Sequence, residues 1–176
     1  MSRLPILDPD SSELLGEVKQ RLGATPNMTK VMANSPALLK GYLGLAAALA
    51  AGTLPPPVRE LVAIYVSARN ACEYCLSAHT FVARQVMRLG DDEVRAARRG
   101  ESMDPFVGAA LRLAMIIDQG RGEPNDEELA EARAAGLTDE QIGEVIGHVA
   151  LTVLTNSFNK AMAVDIDFPI VKVERV

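Results

Sequence analysis

Both cysteines of this chain and one of its two histidines fall in the run Asn70-Ala71-Cys72-Glu73-Tyr74-Cys75-Leu76-Ser77-Ala78-His79. A thiol pair beside an imidazole is a set for covalent sulfur chemistry. The thiolate, not the thiol, is the nucleophile, and a free thiol with a pKa of about 8.5 needs a positive dipole or a base to ionise near neutral pH. In a helix, Cys72 and Cys75 stand at i and i+3, and Cys75 and His79 at i and i+4, so the three side chains share one face. Cys72, close to the helix start, receives the dipole, and Cys75, one turn from His79, receives the base. Cysteines so spaced also reach the Cα separation of roughly 4.4–6.8 Å that a disulfide needs, so the pair can cycle between dithiol and disulfide.

A helical pattern must carry these residues. It runs from Pro57 to Leu89 with a break at Arg69-Asn70-Ala71, because Asn tolerates the left-handed conformation that ends one helix and also caps the next. If the chain reverses at Asn70, Glu60 lies ten residues before the turn and His79 nine after it. The two then sit at similar heights on facing helices, where the carboxylate can orient the imidazole. Other readings of the same residues stay open. The cysteines could be small packing residues. Cys72, Cys75 and His79 with Glu60 could hold a metal, although the distant second ligand pair of structural zinc sites is missing. Glu60 could be a solvated partner of Arg59 or Arg69. His148, in the apolar run Val145 to Ala150, reads as a core histidine. Arg95, Arg98 and Arg99 read as a solvated face.

The remaining elements point to an all-α fold. With 176 residues and 48% hydrophobic side chains, the chain has the size of one domain, residues 1–176. Aromatics are only 4% and Trp is absent, which favours closely packed helices. Ser11 and Ser12 predict the start of a helix through Leu22 that stops at Gly23; Ser35-Pro36 opens one that ends near Gly52; Asp104-Pro105 opens one to Gly120. The proline run Leu54 to Pro57 leads into a helix at about Val58. Asn125 caps a helix ending at Gly136, and Thr138 to Gln141 has the capping-box pattern for a long helix to about Met162. The tail from Ile166 to Val173 alternates, but Pro169 interrupts it, so an extended arm is expected. A faint internal repeat with a shift of 84 sets Glu60 on Glu144, Cys72 on Asn156 and Cys75 on Asn159.

Composition also narrows the partners. A net charge of −5 without a basic run argues against nucleic acid. The most apolar stretch, Leu43 to Ala51, is far short of the roughly 20 residues needed to span a bilayer, and the N-terminus lacks a leader pattern, so a cytoplasmic protein away from membranes is expected. A CxxC pair also fits a reducing compartment.

Glu60, followed twelve residues later by Cys72-Glu73-Tyr74-Cys75 and then by His79, resembles the active-site pattern of alkylhydroperoxidase D, within the carboxymuconolactone decarboxylase superfamily. The likeness is specific over residues 60–79. More loosely, the whole chain, including Asn156 to Asn159 and Val164 to Pro169, is similar to the longer peroxidase-related members. The resemblance implies the all-helical alkylhydroperoxidase D-like fold and a homo-oligomer, a trimer or a hexamer. It implies a peroxidase that uses no metal, haem or flavin. Cys75 would then be the thiol that attacks a hydroperoxide, Cys72 the resolving thiol, and His79 with Glu60 the proton relay. A lipoyl-bearing or thioredoxin-like dithiol protein would restore the pair. One position departs from the pattern: alkylhydroperoxidase D has a histidine just before the second cysteine, and here it is Tyr74. A phenol of pKa about 10 donates a hydrogen bond but does not serve as a base near neutral pH. A disulfide exchange protein and a redox-sensing oligomer are therefore carried as alternatives. Phe81, Met115 and Phe158 are candidates for either a substrate pocket or the core.

Overall fold

The computed structural model describes residues 1–119 and 122–173, and among these it holds nine α-helices and no strand. In chain order they are α1 (Glu13–Leu22), α2 (Asn27–Met32), α3 (Pro36–Ala50), α4 (Pro56–Arg69), α5 (Glu73–Phe81), α6 (Asp91–Ala97), α7 (Pro105–Gln119), α8 (Asp126–Ala134) and α9 (Asp139–Ala161). The all-α expectation is met, and most ends follow the expected chemistry. Ser35 accepts from the Leu38 amide ahead of α3, and reciprocal capping boxes open α8 (Asn125 with Glu128) and α9 (Thr138 with Gln141). Gly23, at φ 72°, ends α1 in the left-handed conformation. Two caps differ. Ser12 sits at the start of α1 without a side-chain capping bond, and Ser11 belongs to a preceding 3-10 turn held by Asp8. The short α2 and α6 escaped the sequence reading because six or seven residues barely show a helical period. The Gly120 stop lies outside the described residues.

α4 lies at the centre of the bundle. Its Leu61, Val62, Ile64, Tyr65 and Val66 are buried against Ala110, Leu111 and Ala114 of α7 and Val145 and Val149 of α9. Neighbours surround α4, so its apolar residues run on continuously instead of forming one stripe. A second cluster closes over the cysteines: Leu15 and Val18 of α1, Met28, Val31 and Met32 of α2, and Leu39 and Leu43 of α3 pack with Cys72, Tyr74 and Cys75.

The chain reverses between α4 and α5, as the Asn70 break predicts, but the left-handed residue is Ala71, at φ 50°, not Asn70. The reason lies in the hydrogen bonds. The Cys72 amide bonds the Ser67 carbonyl and the Ala71 amide bonds the Ala68 carbonyl, a Schellman closure that puts the left-handed position one residue past the cap. These bonds hold an alanine in a conformation that costs an L-residue about 1–2 kcal/mol. Cys72, not Asn70, then caps α5.

The C-terminal arm has no regular structure and runs back over the site end of the bundle. Asp165 accepts from the Ser2 amide at 3.1 Å, Asp167 from the Asn27 amide at 2.7 Å, and the Val171 amide donates to Ser77 at 2.9 Å. The internal repeat does not extend to the structure. Residues 144–159 lie in unbroken α9, whereas 60–75 span α4, the reversal and the start of α5. Among the described residues no helix is long and apolar enough to cross a membrane.

Candidate active site

The position of Glu60 is set from the loop before α4. The Glu144 carboxylate of α9 accepts from the amides of Thr53 at 2.8 Å and Leu54 at 2.6 Å, and Arg59 donates to the carbonyls of Leu54 and Ala50. Burial would raise the Glu144 carboxyl, but these amides and the nearby Arg59 outweigh it and hold the group below its ordinary value. Gly52 lets the carboxylate come this close, since a Cβ there would overlap it. Glu60, one turn into α4, faces α5, and its Oε2 lies 2.9 Å from His79 Nδ1. The hairpin geometry inferred from the sequence is therefore present.

The thiols sit at the start of α5. Cys72 Sγ accepts from the Cys75 amide at 3.4 Å, as a helix cap does, and lies 3.0 Å from Cys75 Sγ. Both cysteines are free and buried, at 1% and 3% exposure. Cys72 is thus at the cap itself, a position that receives the amides of the first turn directly. From α9, Asn159 Nδ2 donates to Cys75 Sγ at 3.1 Å.

Ionisation of the pair is shared. Cys72 is lowered, first by the hydrogen bond from Cys75 against the opposing effect of burial, and also by the Cys75 amide and the charges of Lys160 and His79. Cys75 is raised, first by its hydrogen bond to Cys72 and then by burial, with Asn159 and Thr155 acting the other way. These are two sides of one event: the pair gives up a first proton easily and keeps a second tightly, with S–H···S bridging the sulfurs. The negative charge can reach Cys75 by a proton shift across 3.0 Å. Burial opposes the charged form of His79, but the Glu60 carboxylate and the Cys72 charge prevail and raise its pKa. Among the described residues no hydrogen bond joins the imidazole to either sulfur.

The two thiols open on different spaces. Cys75, with Glu60 and His79, lines a pocket of about 530 Å³ whose walls include Tyr42, Phe81, Val86 and Phe168. Cys72 lines a separate hollow with Lys160 and Lys172, and Tyr74 forms a wall of both. Burial, and then the charges at Cys75 and Glu60, push the Tyr42 phenol up to about 12, so it faces the pocket as a neutral hydroxyl. Tyr74, at the departing position, does not act on the sulfurs. Its hydroxyl donates to Asp167 at 2.8 Å and accepts from the Met28 amide at 3.0 Å, clasping the C-terminal arm and α2 to α5. Burial, with Asp167 beside it, raises this phenol further.

Of the sequence-predicted residues, Cys72, Cys75, His79 and Glu60 are all brought together. As ligands they do not converge: among the described residues no group of three or more His, Cys, Asp or Glu side chains is placed to hold a metal ion. Phe81 lines the pocket, Phe158 packs beside the thiol cluster, and Met115 faces hollows on the other side. His148 is buried on α9, as a core histidine would be, and its Nε2 makes no hydrogen bond. The sequence reading missed Asn159, Thr155 and Tyr42. The signal for the first two was a stripe of polar residues, Thr152, Thr155 and Asn159, recurring at helical spacing on a face that must be buried.

Comparison with known proteins finds the same fold in others. The family model described as the carboxymuconolactone decarboxylase family matches residues 36–119, from α3 through α7, which include all four site residues. A peroxidase-related protein from Silicibacter sp. TM1040 is 26% identical, with a TM-score of 0.79, over 93% of this chain and 91% of that one. A peroxidase-related protein with an alkylhydroperoxidase AhpD core, from Ralstonia eutropha JMP134, is 24% identical, with a TM-score of 0.81, over 94% of this chain and 92% of that one. The debrominase Bmp8, solved as a cysteine-to-alanine variant with 2,3,4-tribromopyrrole, shares the fold at 22% identity and a TM-score of 0.78, over 94% of this chain and 91% of that one. Curated proteins gave no significant match.

Proposed function

From the premise that the chain belongs to the carboxymuconolactone decarboxylase superfamily and is alkylhydroperoxidase D-like, we propose that it is a thiol peroxidase acting on organic hydroperoxides. The observation that carries this reading is the division of labour at the dithiol. Only Cys75 faces the pocket that also holds the Glu60–His79 pair, while Cys72 stands 3.0 Å behind it. Cys75 thiolate attacks one oxygen of the peroxide. The O–O bond breaks, the leaving alkoxide takes a proton from His79, and Cys75 becomes a sulfenic acid. Cys72 then attacks that sulfur, hydroxide leaves as water with a proton from the site, and the disulfide forms. An external dithiol returns two electrons. Pocket walls of Phe81, Val86 and Phe168 favour an alkyl or aryl hydroperoxide over hydrogen peroxide. Assembly as a trimer or hexamer and a cytoplasmic site of action belong to the same proposal.

The reading is tested by turnover of cumene hydroperoxide and of hydrogen peroxide under excess dithiothreitol. Repeated turnover that prefers cumene hydroperoxide and falls in His79→Ala supports it; a single oxidation without turnover removes it. One observation favours a second reading, a disulfide exchange protein. Tyr74 is committed to Asp167 and Met28, so only one imidazole serves the thiols. Faster reduction of a model disulfide than of either peroxide would favour that role.

A further inference from the structure

We propose that the Cys72 side of the dithiol is the docking groove of an acidic dithiol-bearing protein, which reduces the disulfide from the side opposite the peroxide pocket. In turnover this role rests on the peroxidase reading; the groove and its charge do not. Cys72 lines a hollow of about 520 Å³ that Cys75 does not reach. Through Ala71, Lys172 and Val173 this hollow continues into a second, of about 680 Å³. Lys160, Lys172, Arg69 and Arg99 line the two hollows, and among the described residues that line them the one carboxylate is that of Glu73.

This is a concentration of positive charge on a chain whose net charge is −5. Some of it is locally met: Lys172 pairs with Glu73 at 3.1 Å and Arg99 with Glu101 at 2.9 Å. Lys160 instead donates to the Asn70 carbonyl at 2.6 Å, which fixes its ammonium beside Cys72 without neutralising it. A negatively charged partner approaching an acidic protein is steered to such a patch. Two adjoining hollows offer more surface than a small anion needs, which suits a folded acidic partner.

The sulfur chemistry gives the groove its use. Thiol–disulfide exchange proceeds with the attacking sulfur in line with the bond that breaks. An attack from the groove side reaches Cys72 with Cys75 as the leaving sulfur. The partner's first thiolate bonds Cys72 Sγ, the Cys72–Cys75 bond breaks, and its electron pair goes to Cys75, where Asn159 donates a hydrogen bond. The partner's second thiol then displaces Cys72 from the mixed disulfide. Two electrons have moved, the partner leaves as a disulfide, and its two thiol protons end on Cys72 and Cys75. Lys160 favours the negative charge that forms on Cys72 as it leaves.

The test needs no peroxide. The chain is oxidised with diamide and its reduction is followed with two synthetic peptides, each carrying two cysteines separated by two residues, one flanked by glutamates and the other by glutamines. The glutamate peptide should reduce the disulfide about tenfold or more faster at low ionic strength, with the advantage shrinking as salt screens the charges. Lys160→Glu with Lys172→Glu should abolish the advantage and Lys160→Gln with Lys172→Gln should reduce it, each peptide's rate being taken relative to the same protein's own rate with dithiothreitol. Equal rates for the two peptides would overturn the proposal. So would an advantage that survives charge reversal, or reduction by glutathione that outpaces the glutamate peptide. If peroxide turnover under dithiothreitol fails while the peptide preference holds, the peroxidase reading falls and the groove stands; the reverse pattern removes the groove alone.

Discussion

Replacing Asn159 with leucine separates what holds the protein together from what charges Cys75, the thiol proposed to attack the peroxide. Asn159 is 3% exposed, its Nδ2 donates to Cys75 Sγ at 3.1 Å, and its buried Oδ1 has no partner. A hydrogen bond to a charged group contributes about 1.5–3 kcal/mol, so losing the donor lowers the thiolate population at Cys75 by roughly 10- to 150-fold. The thiolate that remains is more basic and hence more nucleophilic, and a Brønsted slope of about 0.4–0.5 returns nearly half of the loss on a logarithmic scale. The net expectation is peroxide attack slower by about 4- to 15-fold near neutral pH, with the gap narrowing as pH rises and both proteins become thiolate. Stability should change little. Leucine has the same branched four-atom skeleton and removes a carbonyl whose unpartnered burial costs about 1–3 kcal/mol, which offsets the crowding of its bulkier methyl groups, so the melting temperature should hold. The assay is stopped-flow oxidation of the reduced protein by cumene hydroperoxide across pH, beside a thermal melt. An unchanged attack rate would refute the role of Asn159. A rate loss that tracks a fall in melting temperature, or that stays constant with pH, would refute the electrostatic reasoning.

Other consequences are as direct. Because the folded-state pKa of His79 is raised, the Glu60 pair adds stability that is fully present below the imidazole's unfolded value and is lost as pH rises through the folded one. Glu60→Gln should therefore destabilise more in urea melts at about pH 6 than at about pH 9, and should move the His79 titration, followed by NMR, downward. An equal loss at both pH values would exclude an ion pair. Tyr74→Phe leaves the Met28 amide and Asp167 without their partner and should cost about 1–3 kcal/mol in denaturant, while the rate of peroxide attack stays close to wild type. A collapse of that rate at constant stability would make the phenol part of the chemistry. Gly52→Ala forces the Glu144 carboxylate off the Thr53 and Leu54 amides and should lower stability by about 1–3 kcal/mol. In Glu144→Gln the same substitution should cost much less, and equal costs in both backgrounds would refute the clash.

Much of the site was legible because its chemistry is local. Cys72, Cys75 and His79 lie within the first two turns of one helix and its cap, and Glu60 needed only one further inference, a reversal at Asn70. That reversal is real, yet its detail was misplaced. Asn tolerates a left-handed backbone, but the Schellman bonds put that conformation on Ala71 and made Cys72 the cap, which no local preference announces. Asn159 is 84 residues from Cys75, and Asp167 is 93 residues from Tyr74. Neither pairing leaves a trace in spacing, because both depend on how α9 and the arm fold back. The repeat did set Asn159 on Cys75, but α9 is one unbroken helix and the two residues are partners in contact, not equivalents. The opening of the two thiols onto separate hollows was likewise beyond the pattern, since it depends on Tyr74 standing between them.

The claim that Cys75 meets the peroxide and Cys72 resolves it is tested most directly by trapping the first oxidised sulfur. Reduced Cys72→Ser and Cys75→Ser proteins are each given one equivalent of cumene hydroperoxide in the presence of dimedone, and the adduct is located by mass spectrometry. The account predicts a rapid sulfenic acid adduct on Cys75 in Cys72→Ser and negligible oxidation of Cys72 in Cys75→Ser. Rapid labelling of Cys72 in Cys75→Ser, with an inert Cys75 in the other variant, would contradict it and hand the attack to the thiol at the helix cap.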